Sequence, residues 1–84
     1  MAVVKLGARA VEQLEELPNV PHARMIRILA RLALWPDVSG AKPLSGGLAG
    51  RFRMRTGDYR LQFRIVDGAV VVEKIGHRDG FYED

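Results

Sequence analysis

Arginine recurs with a pattern in this 84-residue chain. Arg51, Arg53 and Arg55 alternate with Phe52 and Met54, and Arg60 and Arg64 alternate with Tyr59, Leu61, Phe63 and Ile65. A guanidinium is planar, permanently charged and carries forked donors, so a cluster of them suits the binding of phosphate. Downstream stand Gly76-His77-Arg78 and, four residues beyond Arg78, Tyr82. An aromatic ring beside such a cluster can stack a base splayed from single-stranded RNA. An imidazole can move a proton near neutral pH. Arg60, Arg78, Tyr82 and His77 are therefore the candidate catalytic group, and Arg51, Arg53, Arg55 and Arg64 the candidate phosphate-binding set. Each has a plainer alternative. His77 can cap a strand or bond to backbone, Tyr82 can be a packed surface aromatic, and Arg55 and Arg64 can be solubility charges at the ends of a hairpin.

Composition narrows the chemistry. With no cysteine there is no disulfide framework, thiolate zinc site or cysteine nucleophile. His22 and His77 are too isolated to suggest a metal site, and no cofactor is expected. No apolar run approaches the roughly 20 residues needed to span a bilayer, and no signal peptide is visible, so no membrane partner and a cytoplasmic location are expected. A formal net charge of +3 favours an acidic partner.

The elements that must position these residues follow from periodicity. Strict alternation marks two half-buried strands, and Gly57-Asp58 between them suits a tight hairpin turn. With those two residues as the loop, Met54 faces Leu61, Phe52 faces Phe63, and Arg51 faces Arg64. The apolar side chains then share one face and the arginines the other; a slip of one residue would mix the two sets, so the register is strongly specified. Like charges set opposite each other destabilise a sheet by about 0.2–1 kcal/mol per pair, which argues that the arginine face holds something anionic. Asp67-Gly68 predicts a second hairpin turn, of type I′, leading into Ala69–Val72 as an interior strand that reaches water at Glu73 and Lys74.

Upstream, Ala2 to Leu6 reads as an edge strand. Ala10, Val11, Leu14 and Leu17 predict a helix over 7–17, and Met25, Ile26, Ile28, Leu29, Leu32 and Ala33 a second over 21–35, with Asn19 or Val20 as its N-cap. Arg24, Arg27 and Arg31 fall along one face of that helix, where a solvated surface is the plainer reading. Residues 37–50 hold Pro43 and four glycines and read as a loop, packed onto the helices through Trp35, Leu44 and Leu48. The tail from Gly76 reads as irregular. The expectation is a single α+β domain over residues 1–84: a short strand, two helices, then a three-stranded antiparallel meander, with the helices on one sheet face and the arginines on the other.

Leu44-x-Gly, Arg53-Met54-Arg55-x-Gly57-Asp58-Tyr59-Arg60, and Gly76-His77-Arg78 with Tyr82 resemble, in this order and spacing, the RelE/ParE superfamily of bacterial toxins from type II toxin–antitoxin modules. The resemblance spans most of the chain. It implies a ribosome-dependent mRNA endonuclease in which a 2′-hydroxyl attacks the adjacent phosphate. On that pattern Arg60 would hold the phosphate and Arg78 the transition state or leaving group. Tyr82 would orient or deprotonate the 2′-hydroxyl, or stack the base. It implies as partners a cognate antitoxin, the ribosome and mRNA, with operator DNA reached only through the antitoxin complex. Arg51 and Arg53 occupy positions where well-known members carry lysine. Arginine does not deprotonate in proteins, so both read as phosphate binders and the general base is left open, with His77 able to assist. The spacing from Arg78 to Tyr82 is also shorter than in some active members. The endonuclease reading is favoured because it uses Arg60, Arg78 and Tyr82 together; the alternatives within the superfamily are a ParE-like gyrase poison without chemistry, which does not require that constellation, and an inactive homologue that only partners an antitoxin.

Overall fold

The computed structural model describes residues 1–82. In chain order the elements are β1 (Val4–Leu6), α1 (Ala8–Glu15), α2 (Asn19–Leu32), β2 (Lys42–Pro43), a 3-10 turn (Gly46–Leu48), β3 (Arg51–Thr56), β4 (Tyr59–Val66) and β5 (Ala69–His77). The strands form one sheet in the order β1-β5-β4-β3-β2, with β1 parallel to β5 and the other neighbours antiparallel. The architecture is α+β, as the sequence predicts. The β3–β4 register is also the predicted one, from Arg51 opposite Arg64 to Thr56 opposite Tyr59. Gly57 at φ 57° begins the first hairpin turn. Asp67 and Gly68, at φ 50° and 80°, give the second the two left-handed residues of a type I′ turn.

One face of the sheet carries the core. Met54, Leu61, Phe63, Val70, Val72 and Ile75 are buried there against Ala10 of α1 and Met25, Ile28 and Leu32 of α2. Full burial of side chains of this size stabilises by about 1.5–3 kcal/mol each relative to exposure. Trp35 sets its ring edge against Phe52 and Phe63, with centroids 5.0 and 5.4 Å apart. It thus packs onto the sheet, whereas the sequence predicts that it fastens the following loop to the helices.

Other departures have physical causes. Pro18 is the N-cap of α2, not Asn19 or Val20, and the helix closes at Leu32 into a turn rather than running to Trp35. Segment 37–50 is not all loop: Lys42 and Pro43 pair with Arg53 and Phe52 as a short edge strand, and Gly46–Leu48 forms a 3-10 turn. The largest change lies in β5, which does not end near Glu73 but runs to His77, so Gly76 and His77 are strand rather than irregular tail. Gln62 pairs with Lys74 and Phe63 with Val72, which leaves Glu73 as the extra residue of a β-bulge. The bulge shifts the phase of the strand. Val70 and Val72 face the core before it, and Ile75 faces the core after it.

Candidate functional site

The sheet face opposite the core presents its side chains in rows set by the register. Arg51 lies beside Arg64; Lys42, Arg53, Gln62 and Lys74 form the next row; Arg55, Arg60 and Gly76 form the third. The bulge places Glu73 and Lys74 together against Gln62, on this open face. Glu73 is the acid that the β3 and β4 sequences lack. Its Oε1 accepts a hydrogen bond from Arg51 Nε at 2.8 Å, its Oε2 lies 3.1 Å from Arg64 Nε, and Gln62 Nε2 donates weakly to Oε1 at 3.4 Å. Arg51 and Arg64 are therefore charge-paired within the protein.

Arg53 and Arg60 are not paired in this way. The Nε of each is buried and, among the described residues, has no hydrogen-bond partner. The two side chains stand diagonally across β3 and β4, with Arg53 opposite Gln62 and Arg60 opposite Arg55. A buried donor without an acceptor costs about 1–3 kcal/mol, more when charged, so each leaves a strong demand for an anion.

Beside them is a concavity of about 380 Å³ lined by Arg9, Gly47, Leu48, Gln62, Lys74 and Tyr82. The 3-10 turn brings Gly47 and Leu48 to it, so Leu48 serves the open face and not the helix packing that the sequence suggests. Arg9 comes from the start of α1. That helix lies along β5, where Gln13 Oε1 accepts the Ile75 N–H at 2.8 Å. Phe81 is buried over Gly76, 3.5 Å from where a Cβ would stand at that glycine. Its ring meets Tyr82 edge-on at 4.9 Å, and Lys74 Nζ sits 4.6 Å from the Phe81 centroid and 5.9 Å from that of Tyr82. Desolvation, and then the positive charge of Arg9, push the Lys74 pKa down.

The remaining candidates fall elsewhere. His77 shares a face with Tyr59, its partner across β4 and β5, and the rings pack edge-on at 5.2 Å. Because Tyr59 packs against the core, His77 lies on the helix side, not among the open-face arginines. Its Nδ1 accepts the Asp79 N–H at 3.1 Å, which is the backbone role that the sequence leaves as an alternative. Arg78 donates its N–H to the Asp58 carbonyl at 2.7 Å, and its guanidinium lies 3.8 Å from the Asp58 and Asp79 carboxylates, at the same end of the sheet as Arg60. Arg55 instead lines a second groove of about 310 Å³ with Arg24, Arg27, Ile28, Arg31 and Thr56.

Sequence reasoning misses Arg9, Glu73 and Lys74 as members of the open face. One signal for the last two was present. Unbroken alternation from Val70 and Val72 would bury Lys74 and expose Ile75, and that conflict points to a bulge. Nothing in the sequence around Arg9 marks it.

No protein-family model matches the chain, and no curated protein sequence does. Solved structures do. A chain of the RelBE2 toxin–antitoxin complex from Mycobacterium tuberculosis is 34% identical, with 92% of this chain and 98% of that one covered and a TM-score of 0.80. The isolated E. coli RelE toxin is 16% identical, covering 92% of this chain and 84% of that one, with a TM-score of 0.76. A chain of the RelB–RelE complex from Methanococcus jannaschii is 18% identical over 94% and 95%, also with a TM-score of 0.76. The last two share the fold; the first adds sequence identity over nearly the whole length of both chains, and the chain belongs to the RelE family of toxins.

Proposed function

We propose that this toxin is a ribosome-dependent mRNA endonuclease whose open sheet face holds the scissile phosphate. The observation that carries the reading is the pair of buried, unpartnered guanidinium nitrogens on Arg53 and Arg60 beside a concavity that contains Tyr82. A phosphodiester would satisfy both donors, and a nucleobase could stack on Tyr82, which is 46% exposed. The 2′-hydroxyl of one nucleotide would attack the adjacent phosphate, leaving a cyclic phosphate and a free 5′-hydroxyl. Arg53 and Arg60 would neutralise the charge that grows on the phosphorane. Arg78, whose guanidinium is 3.8 Å from two exposed carboxylates, would swing toward the leaving oxygen. Similar chains occur in complexes that pair RelE with RelB. A cognate antitoxin is accordingly the proposed protein partner, and acidic side chains in it would suit the same arginines.

The test is 5′-end mapping of cellular transcripts after brief induction of wild type, Arg60→Ala and Arg78→Ala. New ends inside translated codons, absent from both variants, are the expected result. Arrested growth with DNA damage and no new ends would move the protein to gyrase poisoning. Neither effect would leave it an antitoxin partner without toxicity.

A further inference from the structure

The second groove, of about 310 Å³, gathers Arg24, Arg27 and Arg31 from α2 and Arg55 from β3 around Ile28 and Thr56. Charges on a merely solvated helix face would point outward; here two elements turn four of them into one hollow. Residue spacing sets the α2 arginines about 4.5 and 6 Å apart along the helix axis. Arg24 lies over the first hairpin turn, its Nη1 3.3 Å from where a Cβ would stand at Gly57. Arg31 is held at the other end, donating to the Ser39 carbonyl at 2.7 Å. β2 pairs only with Phe52 and Arg53, so no strand covers the edge of β3 beyond them, and the groove opens there. No acid answers this charge. Asp58 and Asp79 lie beside Arg78, and Glu73 beside Arg51 and Arg64; among the described residues none pairs with Arg24, Arg27, Arg31 or Arg55.

We propose that this groove is a second RNA-phosphate site, which holds the substrate strand next to its scissile phosphate. This rests on the endonuclease reading. Arg55 joins the two regions. It pairs with Arg60 across β3 and β4, and it lies two residues, roughly 7 Å, along the strand from Arg53. A strand whose scissile phosphate sits on Arg53 and Arg60 therefore meets Arg55 next, and then the row on α2. The lining also selects the occupant. An acidic helix docking here would need apolar anchors at helical spacing, and the one apolar side chain among the lining residues is Ile28, 4% exposed. A phosphate backbone needs no such anchor and presents a charge at every nucleotide to the forked donors.

Fluorescence anisotropy of a labelled single-stranded RNA oligomer, titrated with the toxin over a series of salt concentrations, tests this. The log–log salt slope for single strands is about 0.7 per phosphate neutralised, so Arg24→Gln with Arg27→Gln should flatten it by about 1.4. Between about 50 and 200 mM salt the wild type should then lose about sevenfold more affinity than this double variant. Arg24→Lys with Arg27→Lys should keep the wild-type slope, because charge sets counterion release. Lys5→Gln, which removes an exposed charge on the far edge strand β1, should keep it too. On programmed ribosomes the double glutamine variant should need more toxin for half-maximal cleavage, with a saturated single-turnover rate within about threefold of wild type. Wild-type oligomer affinity and slope in that variant would overturn the proposal and leave the endonuclease reading intact. Accompanied by weaker binding to ribosomes free of mRNA, that result would give the groove to ribosomal RNA; accompanied by weaker binding to polyglutamate, to an acidic protein. A wild type that binds the oligomer through the groove and cuts nothing would overturn the endonuclease reading and keep the groove as a site for single-stranded RNA.

Discussion

Two pairs of arginines occupy one sheet face and meet opposite conditions. Arg51 and Arg64 share the carboxylate of Glu73, at 2.8 and 3.1 Å. Arg53 and Arg60, in the adjacent rows, keep buried Nε donors without an acceptor among the described residues. Both pairs come from the same alternating pattern and the same hairpin, so residue type does not distinguish them. The neighbouring strand does. The bulge in β5 delivers one acid, and it reaches the first pair only. A fold that needed every arginine neutral could have placed a second acid at Gln62, which is buried between the two pairs. With that position uncharged, one pair is ion-paired within the fold and the other keeps its Nε donors unsatisfied among the described residues.

The largest expected effect separates the pairs by activity. Arg60→Ala and Arg53→Ala should each lower single-turnover cleavage by about 10²–10³-fold, the cost of removing one preorganised donor from a transition-state anion. Arg64→Ala should stay within about 10-fold, because its charge is already spent on Glu73. Equal losses at Arg64 and Arg60 would erase the distinction and make the whole face a diffuse electrostatic surface.

Much of this arrangement is legible without coordinates, and the illegible part has one main source. The hairpin register follows from period-two alternation, because a one-residue slip would bury arginines against Phe63 and Leu61. The helices follow from apolar spacing, and the burial of Ala10, Met25, Ile28 and Leu32 agrees with it. The bulge was harder to see because one inserted residue leaves composition and mean pattern almost unchanged. Yet it exchanges His77 and Arg78 between faces: without it, His77 would join the arginines and Arg78 would turn toward the helices. Arg9 and Gln13 were illegible for another reason. Gln13 accepts the Ile75 N–H from 62 positions away and Arg9 acts on Lys74, and only packing of α1 along β5 brings them together.

A smaller effect should follow from Glu73→Gln. Exposed ion pairs are worth about 0.2–1 kcal/mol each, and Arg51 and Glu73 are only partly shielded, so denaturant unfolding should show a loss of about 1 kcal/mol or less. The same change releases Arg51 and Arg64 for phosphate. Affinity for single-stranded RNA should therefore become more salt-dependent, with a log–log slope steeper by about 0.7 for each phosphate newly contacted. A slope equal to wild type would mean that Arg51 and Arg64 cannot reach the ligand even when free, which would sharpen the division between the pairs.

The smallest effect concerns Lys74 and stability alone. Burial first, and then Arg9, lower its pKa, so between that lowered value and 10.5 the unfolded chain binds the proton more strongly than the folded one. Stability therefore rises with pH through this window, and the cost of holding the ammonium in the folded protein is fully present below it. Lys74→Met lacks this titration. Comparing the two proteins by denaturant unfolding at a series of pH values, the difference should move in favour of wild type as pH rises toward 10.5. A difference that stays flat would show that the lysine is as well solvated in the fold as in the unfolded chain. The open face would then hold its charge as easily beside Tyr82 as beside Glu73, and the contrast between a neutralised and an unsatisfied region would rest on Arg53 and Arg60 alone.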